Sequence, residues 1–413
     1  MPDTLTSPDP QSPPGGVRSA PFVRLWAGST ASGLATWALP FVLGLAVLEG
    51  ALTATQLGLV LAARTTGFLA AMPVSGVLAD RFARRRVVLY ASLVAASGIP
   101  VLFAMLGNTR LSAVALMMLG AAIAGMGQGA CRPAYQALVP LVVGPDGRQA
   151  ANAAMSISVR VTALAGPTLA TALALAIGAR ATLAVIVVLW LVSAVAPPHP
   201  AEPGRDGAVG RLTGADFLRE FAEGFREAGR HPWFIAGLAA LTTVICLGYS
   251  VTGVILPILS RDRTGGAGLL VAATTAYTVG ALLGAVLIAR WRPRHQGWSA
   301  LMGLALYSLV PFSLLAEMPL AVPLLAFLLA GVGIELFNVP WFTATQREVP
   351  PDRLARVTSI DFLFSYGLAP LGLAAIAPAS EAFGMTTVLA VCGIACLLAP
   401  LAAMLPYSSR GFT

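Results

Sequence analysis

Apolar residues run along this chain in blocks of about 20, separated by short polar stretches rich in arginine, proline and glycine, from residue 22 to residue 406. A helix rises 1.5 Å per residue, so each block is long enough to cross ~30 Å of hydrocarbon. The pattern predicts twelve membrane helices, at 22–48, 55–79, 87–107, 111–139, 152–178, 181–196, 233–259, 267–290, 298–316, 320–345, 356–379 and 384–406. They fall into two groups of six, 21–196 and 233–406, joined by a polar segment at 197–232. The expected architecture is an all-α membrane protein built from two six-helix bundles.

The segments outside the spans carry their own pattern. Residues 1–20 are rich in Pro, Ser and Asp and read as a disordered tail. They lack the basic start of a cleaved signal, so the first span is expected to act as an uncleaved anchor. Residues 407–413 read as a second tail. In the 197–232 linker, Phe217, Leu218, Phe221 and Phe225 share a stripe at helical spacing, with Arg219, Glu220, Glu223, Arg226 and Glu227 around it. Thr213 and Asp216 have capping-box spacing. Two readings of this amphipathic helix stand open: it lies on the inner leaflet, or it extends the seventh span into the cytosol.

Composition sharpens the picture. Hydrophobic residues make up 57% and charged residues 11%, and the mean hydropathy of +0.80 excludes a water-soluble globule of this length. All 26 basic residues are arginine. With the amino terminus inside, only Arg110, Arg180, Arg261 and Arg263 fall outside, so both termini are expected in the cytoplasm. The net charge of +8 thus orients the chain in a lipid bilayer and does not imply nucleic acid. Abundant Ala, Gly and Arg without lysine points to a GC-rich bacterial gene and an inner (plasma) membrane location. Cys131, Cys246, Cys392 and Cys396 lie in apolar runs, and His199, His231 and His295 lie in loops or at span ends. This spacing offers no disulfide framework, metal site or histidine triad, and no cofactor is expected.

The most specific stretch is Gly76-Val-Leu-Ala-Asp80-Arg81-Phe-Ala-Arg84-Arg85-Arg86, between the second and third spans. A glycine four residues before an aspartate puts both on one helix face, with arginines in the turn beyond. Gly76, Leu78, Ala79, Asp80, Arg81, Arg84 and Arg85 resemble the loop signature of the major facilitator superfamily, with Ala83 in place of its second glycine. Further similarity lies in Arg132-Pro133-Ala134, Ala151-Asn152-Ala153, Gly166-Pro167 and the stretch from Trp341 through Gln346-Arg347-Glu348 to Val357. Together these resemble the drug- and siderophore-efflux branch that includes enterobactin exporters, over about residues 20–406. The antiporter signature of the fifth span is half present, since Ala170-Thr171 follow Gly166-Pro167 where paired glycines are usual. The resemblance implies a pseudo-symmetric major facilitator fold. It further implies that Asp80 docks on the amino-terminal end of the eleventh helix near Arg356 to Ser359, making Gly76, Asp80, Arg81, Arg84 and Arg85 a conformational switch.

A weak repeat supports two related halves. Val139-Pro140, Pro145-Asp146, Arg148 and Gly166-Pro167 are echoed by Val349-Pro350, Pro351-Asp352, Arg353 and Ala369-Pro370. Charge within spans is costly and tends to face a bundle interior or a wet cavity. Arg64, Arg132, Arg160, Glu335 and Asp361 sit in spans two, four, five, ten and eleven, while spans three, six, nine and twelve carry none.

From these residues come the candidate roles. Glu335, mid-span beside Gly331, Gly333 and Asn338, is the first proton-coupling candidate, or else a carboxylate permanently paired with Arg64 or Arg160. Asp361 is the second candidate, or part of a gate. Arg64 and Arg160 are candidate substrate or counter-ion groups, and Arg132 is expected to bond backbone carbonyls around Pro133. Trp37, Tyr249, Tyr277, Asn338, Trp341 and Tyr366 are candidates for the cavity or its interface. Trp26, Trp190, Trp233, Trp291 and Trp298 at span ends read as interfacial belt residues. The expected function is proton-coupled efflux of a small amphiphilic drug, antibiotic or siderophore by a monomer working through alternating access. The alternatives are an importer or uniporter and, in other classes, a membrane enzyme or a sensor. Neither an acid-base site at a membrane surface nor an output domain is visible for those last two.

Overall fold

The computed structural model describes residues 16–48, 50–108, 110–200, 214–264 and 268–413. Side chains of residues 48, 54, 81, 214–218 and 264 fall outside the description. So do Thr213 of the expected capping box, most of the expected amino-terminal tail, and the side chains of Arg81, Asp216, Phe217 and Leu218.

Each apolar block forms a helix. The first half contains α1 (Ala20–Leu48), α2 (Ala54–Arg81), α3 (Arg84–Met105), α4 (Leu111–Val142), α5 (Arg148–Ile177) and α6 (Ala179–Val195). The linker helix α7 spans Gly214–Gly229. The second half contains α8 (Pro232–Arg263), α9 (Gly268–Arg290), α10 (beginning at Gln296–Ala305), α11 (Ala321–Glu348), α12 (Leu354–Phe383) and α13 (Met385–Ala402). Ten of these helices are long and apolar enough to cross a membrane. The shorter α6 and the interrupted α10 account for the other two expected runs.

Local chemistry explains the starts and breaks. At the head of α2 the Thr53 hydroxyl accepts from the Gln56 N–H, and the Gln56 side chain accepts from the Thr53 N–H. Helix α10 tightens to a 3-10 turn at Leu306–Ser308 before resuming at Leu309–Ser313, where Pro311 has no N–H to return to the preceding turn. Helix α12 breaks between Gly367 and Ala369, just ahead of Pro370. Gly178 and Gly384 link α5 to α6 and α12 to α13, and both take a left-handed φ, 87° and 83°. The same glycine turn at equivalent places is a structural trace of the repeat.

The halves meet where α12 lies on α2 and α4, and where α5 lies on α9 and α11. Helices α6, α10 and α13, and α3 beyond its first turn, stand outside that seam, and the mid-span charges lie on none of them. At the arginine-rich end one expectation changes and one open choice narrows. The terminal segment is folded: Tyr407–Arg410 make a 3-10 turn, and Phe412 is fully buried among Trp233, Phe337 and Trp341. The linker helix does not continue the seventh span, because the chain breaks at Arg230–His231. Instead α7 docks on α12: Phe225 meets Phe364 edge-on at 6.1 Å, and Glu227 bonds Arg353 at 2.5 Å.

Candidate functional site

Two polar layers cross the seam. The first lies half-way along the helices. Arg160 of α5 reaches across to Glu335 of α11, with its Nε and one terminal nitrogen each 2.8 Å from Glu335 Oε1. Glu335 is buried, and its Oε2 is enclosed without a hydrogen-bond partner. Arg160 retains 19% of its side-chain exposure and lies 5.7 Å from the Tyr277 ring. The sequence left two partners open for Glu335; the fold brings Arg160 to it and keeps Arg64 elsewhere.

Beside this pair is a tyrosine cluster. Tyr249 stacks on Tyr307 at 4.8 Å, its hydroxyl bonds that of Tyr277, and Tyr307 meets Thr252 at 3.0 Å. Helix α8 is π-wound over Val244–Tyr249 and Val251–Ile255. The extra residue per turn resets the direction of Tyr249 relative to a regular helix. Tyr307 was missed in the sequence because its span carries no charge. Nor does apolar periodicity reveal a π-wound segment.

On the first-half side, Arg64 gives one nitrogen to the Thr36 carbonyl at 3.0 Å and to Gln128 Oε1 at 2.6 Å. Arg132 departs from expectation. It makes no hydrogen bond to the carbonyls around Pro133, and its guanidinium lies between the rings of Phe68, at 6.0 Å, and Tyr366, at 5.2 Å. These two aromatic rings hold the cation in place of its own helix backbone. Gln128 was also missed, although a glutamine within Gly125-Met-Gly-Gln-Gly129 is a polar group in an apolar run.

Other candidates are distributed unevenly. Trp37 is 37% exposed, and Asn338 is half-buried, three residues from Glu335. Trp341, one of the candidates for the cavity or its interface, is fully enclosed by Trp233, Phe234, Phe337 and Phe412. Trp190 and Trp233, read as belt residues, are also buried. Trp233 is drawn inward by the rings of Phe234, Trp341 and Phe412. Asp361 is buried in α12 and accepts from Ser365 at 3.4 Å.

The second layer closes the arginine-rich end. Asp80 at the end of α2 accepts the Ala355 N–H at 3.0 Å and the Arg356 N–H at 2.9 Å. The carboxylate therefore caps the first turn of α12, where unpaired N–H groups and the helix dipole favour negative charge. Gly76, one turn earlier, lets the helices touch: a Cβ there would fall 2.2 Å from Ser359 Oγ and 2.9 Å from the Ala355 carbonyl oxygen. Arg356 also reaches Glu223 of α7 at 2.9 Å, so the linker helix grips the same turn. Arg84 bonds the Pro351 carbonyl across the seam. Arg85 stays within its own half, on the Pro197 carbonyl at 2.8 Å.

Further bonds line this end. Arg148 donates to the Gln346 carbonyl at 3.0 Å, Asn152 to Thr343 and Gln346 at 3.0 Å, and Gln149 to the carbonyls of Ile288 and Trp291. Among the described residues, the hydrogen bonds between halves lie at this end or at the Arg160–Glu335 level.

The sequence model of the Major Facilitator Superfamily matches residues 25–372. Solved structures with the same architecture include the human organic anion transporter MFSD10 (TETRAN), with TM-score 0.74, 16% identity, and coverage of 93% of this chain and 99% of that one. A bacterial homologue of the iron transporter ferroportin in an outward-facing state gives TM-score 0.76 and 19% identity, over 93% and 98% of the chains. The E. coli fucose:proton symporter FucP gives TM-score 0.63 and 16% identity, over 94% and 99%. At these identities the likeness is one of fold. No curated protein sequence matches the chain.

Proposed function

The chain belongs to the major facilitator superfamily and is a membrane transporter, and from that premise we propose that it is a proton-coupled exporter of a small amphiphilic compound. The observation that carries this reading is Glu335. It is a buried carboxylate at mid-span with one oxygen held by Arg160 of the other half and the second unpartnered. Protonating it weakens its attraction for Arg160 and so links proton occupancy to the bond between the halves. In alternating access the halves rock about such a level. The Asp80 cap on α12 then holds the arginine-rich end shut, with that end facing the cytoplasm.

In proteoliposomes with an imposed pH gradient, Glu335→Gln should abolish gradient-driven movement of a transported amphiphile and leave counterflow exchange intact. Gradient-driven transport that survives in the variant would remove Glu335 from the coupling role. A uniporter or importer is the second reading, favoured by the incomplete antiporter signature at Ala170-Thr171. It predicts movement indifferent to the gradient in both proteins.

A further inference from the structure

Among the described residues, no carboxylate neutralises the charge of Arg64 or Arg132. They stand on the packed helices α2 and α4, with Arg132 over the ring of Phe68, one turn along α2 from Arg64, and neither pairs with a described carboxylate. Glu335 is taken by Arg160 and Asp361 accepts from Ser365. Arg64 spends a single nitrogen on Thr36 and Gln128. Its other two nitrogens make no hydrogen bond, yet they are not among the enclosed, unsatisfied atoms, so they keep some exposed surface. The same holds for every nitrogen of Arg132, which rests only on the rings of Phe68 and Tyr366.

Bare guanidinium groups inside an apolar bundle are unfavourable unless water or an anion meets them. A planar fork with free N–H groups matches a carboxylate, and Gln128 fixes the direction of the Arg64 fork. The flanking rings of Phe68 and Tyr366 offer flat apolar surface beside the charge. Tyr366 belongs to the second half, so the arrangement sits where the halves meet and is altered when they move.

We infer that this seam binds an organic anion, in which a carboxylate group lies on Arg64 and Arg132 and an aromatic or similarly flat apolar body lies against Phe68 and Tyr366. The inference rests on the transporter reading and narrows its substrate from amphiphiles in general to amphiphilic carboxylates. The site is a feature of the first half with Tyr366 added, distinct from the Arg160–Glu335 pair.

The test uses the purified full chain and a matched pair of probes, 1-naphthoate and its neutral analogue 1-naphthamide, at equal ionic strength up to tens of millimolar. Thermal unfolding and equilibrium binding are measured on wild type, on Arg132→Gln, whose side chain makes no hydrogen bond here, and on Arg64→Gln/Arg132→Gln. The expected result is at least tenfold tighter binding of naphthoate than of naphthamide. That ratio should shrink in Arg132→Gln and fall to near one in the double variant. Equal binding of both probes, no binding of either, or a preference unchanged in Arg132→Gln would overturn the inference. Transport is scored separately. A bound carboxylate that is never moved across the bilayer would count against the transporter reading alone, while a transported neutral amphiphile with no carboxylate preference would count against the anion site alone.

Discussion

Asp80→Asn is the cleanest perturbation of the closed end. It keeps the size of the side chain, but one of the two acceptors facing the Ala355 and Arg356 N–H groups becomes a donor, and the charge at the head of α12 is lost. A hydrogen bond to a charged acceptor contributes ~1.5–3 kcal/mol, and an anion at a partly buried helix amino terminus up to ~2 kcal/mol. Because the two contributions overlap, the closed end should lose roughly 2–3 kcal/mol, a shift of roughly 30- to 150-fold in the equilibrium between closed and open. Spin labels at Arg86→Cys and Arg294→Cys, both exposed and in opposite halves, with the four native cysteines replaced, report the separation directly. Wild type should show mainly the short distance and Asp80→Asn a large added population at longer distance, with unchanged expression. An unchanged distance distribution, or a variant that yields no folded protein, would refute the argument that this contact is a latch made and broken between two folded halves.

Other substitutions probe the rest of the account. Gly76→Val should express normally but lose transport, since its side chain would collide with Ser359 and the Ala355 carbonyl; normal transport rates would show that the approach is not needed. Phe412→Ala should lower thermal stability by ~3–5 kcal/mol, the usual cost of removing an enclosed phenylalanine, and an unchanged unfolding temperature would mean that the terminal segment is not part of the packed bundle. Burial alone would push the Glu227 carboxyl up, but the hydrogen bond and charge of Arg353, with Arg230 and His231, hold it below its ordinary value of 4.5. A depressed pKa contributes stability that is complete above that value and is lost as pH falls below it. The gap in stability between wild type and Glu227→Gln should therefore be present at pH 7 and close on acidification, and a gap independent of pH would contradict the pairing.

Much of this was legible in the sequence because hydrocarbon imposes a single length and excludes charge. The twelve runs, the two groups of six, and the restriction of mid-span charge to Arg64, Arg132, Arg160, Glu335 and Asp361 follow from that constraint alone. The spacing of Gly76 and Asp80 was equally readable, since one turn puts both on one face; that this face meets α12 came from the resemblance to the superfamily's loop signature. What could not be read was partner choice. Glu335 had two candidate arginines, and only the packing of α5 on α11 selects Arg160. Trp190, Trp233 and Trp341 show the same limit, because the environment of a ring near a span end depends on which neighbouring helix closes over it. Phe412 was invisible for a related reason: a short polar end gives no periodic signal, and its burial depends on a pocket made by Trp233, Phe337 and Trp341 from two other helices.

The central claim is that Glu335 carries the proton whose movement drives transport. The most direct measurement is proton flux itself, read by a pH-sensitive dye trapped inside proteoliposomes while a transported amphiphile is added outside, for wild type and Glu335→Gln. The account predicts a substrate-dependent change of internal pH in wild type that disappears in the variant, although the variant still binds and exchanges substrate. Substrate movement without any pH change in wild type, or an equal pH change in Glu335→Gln, would contradict it.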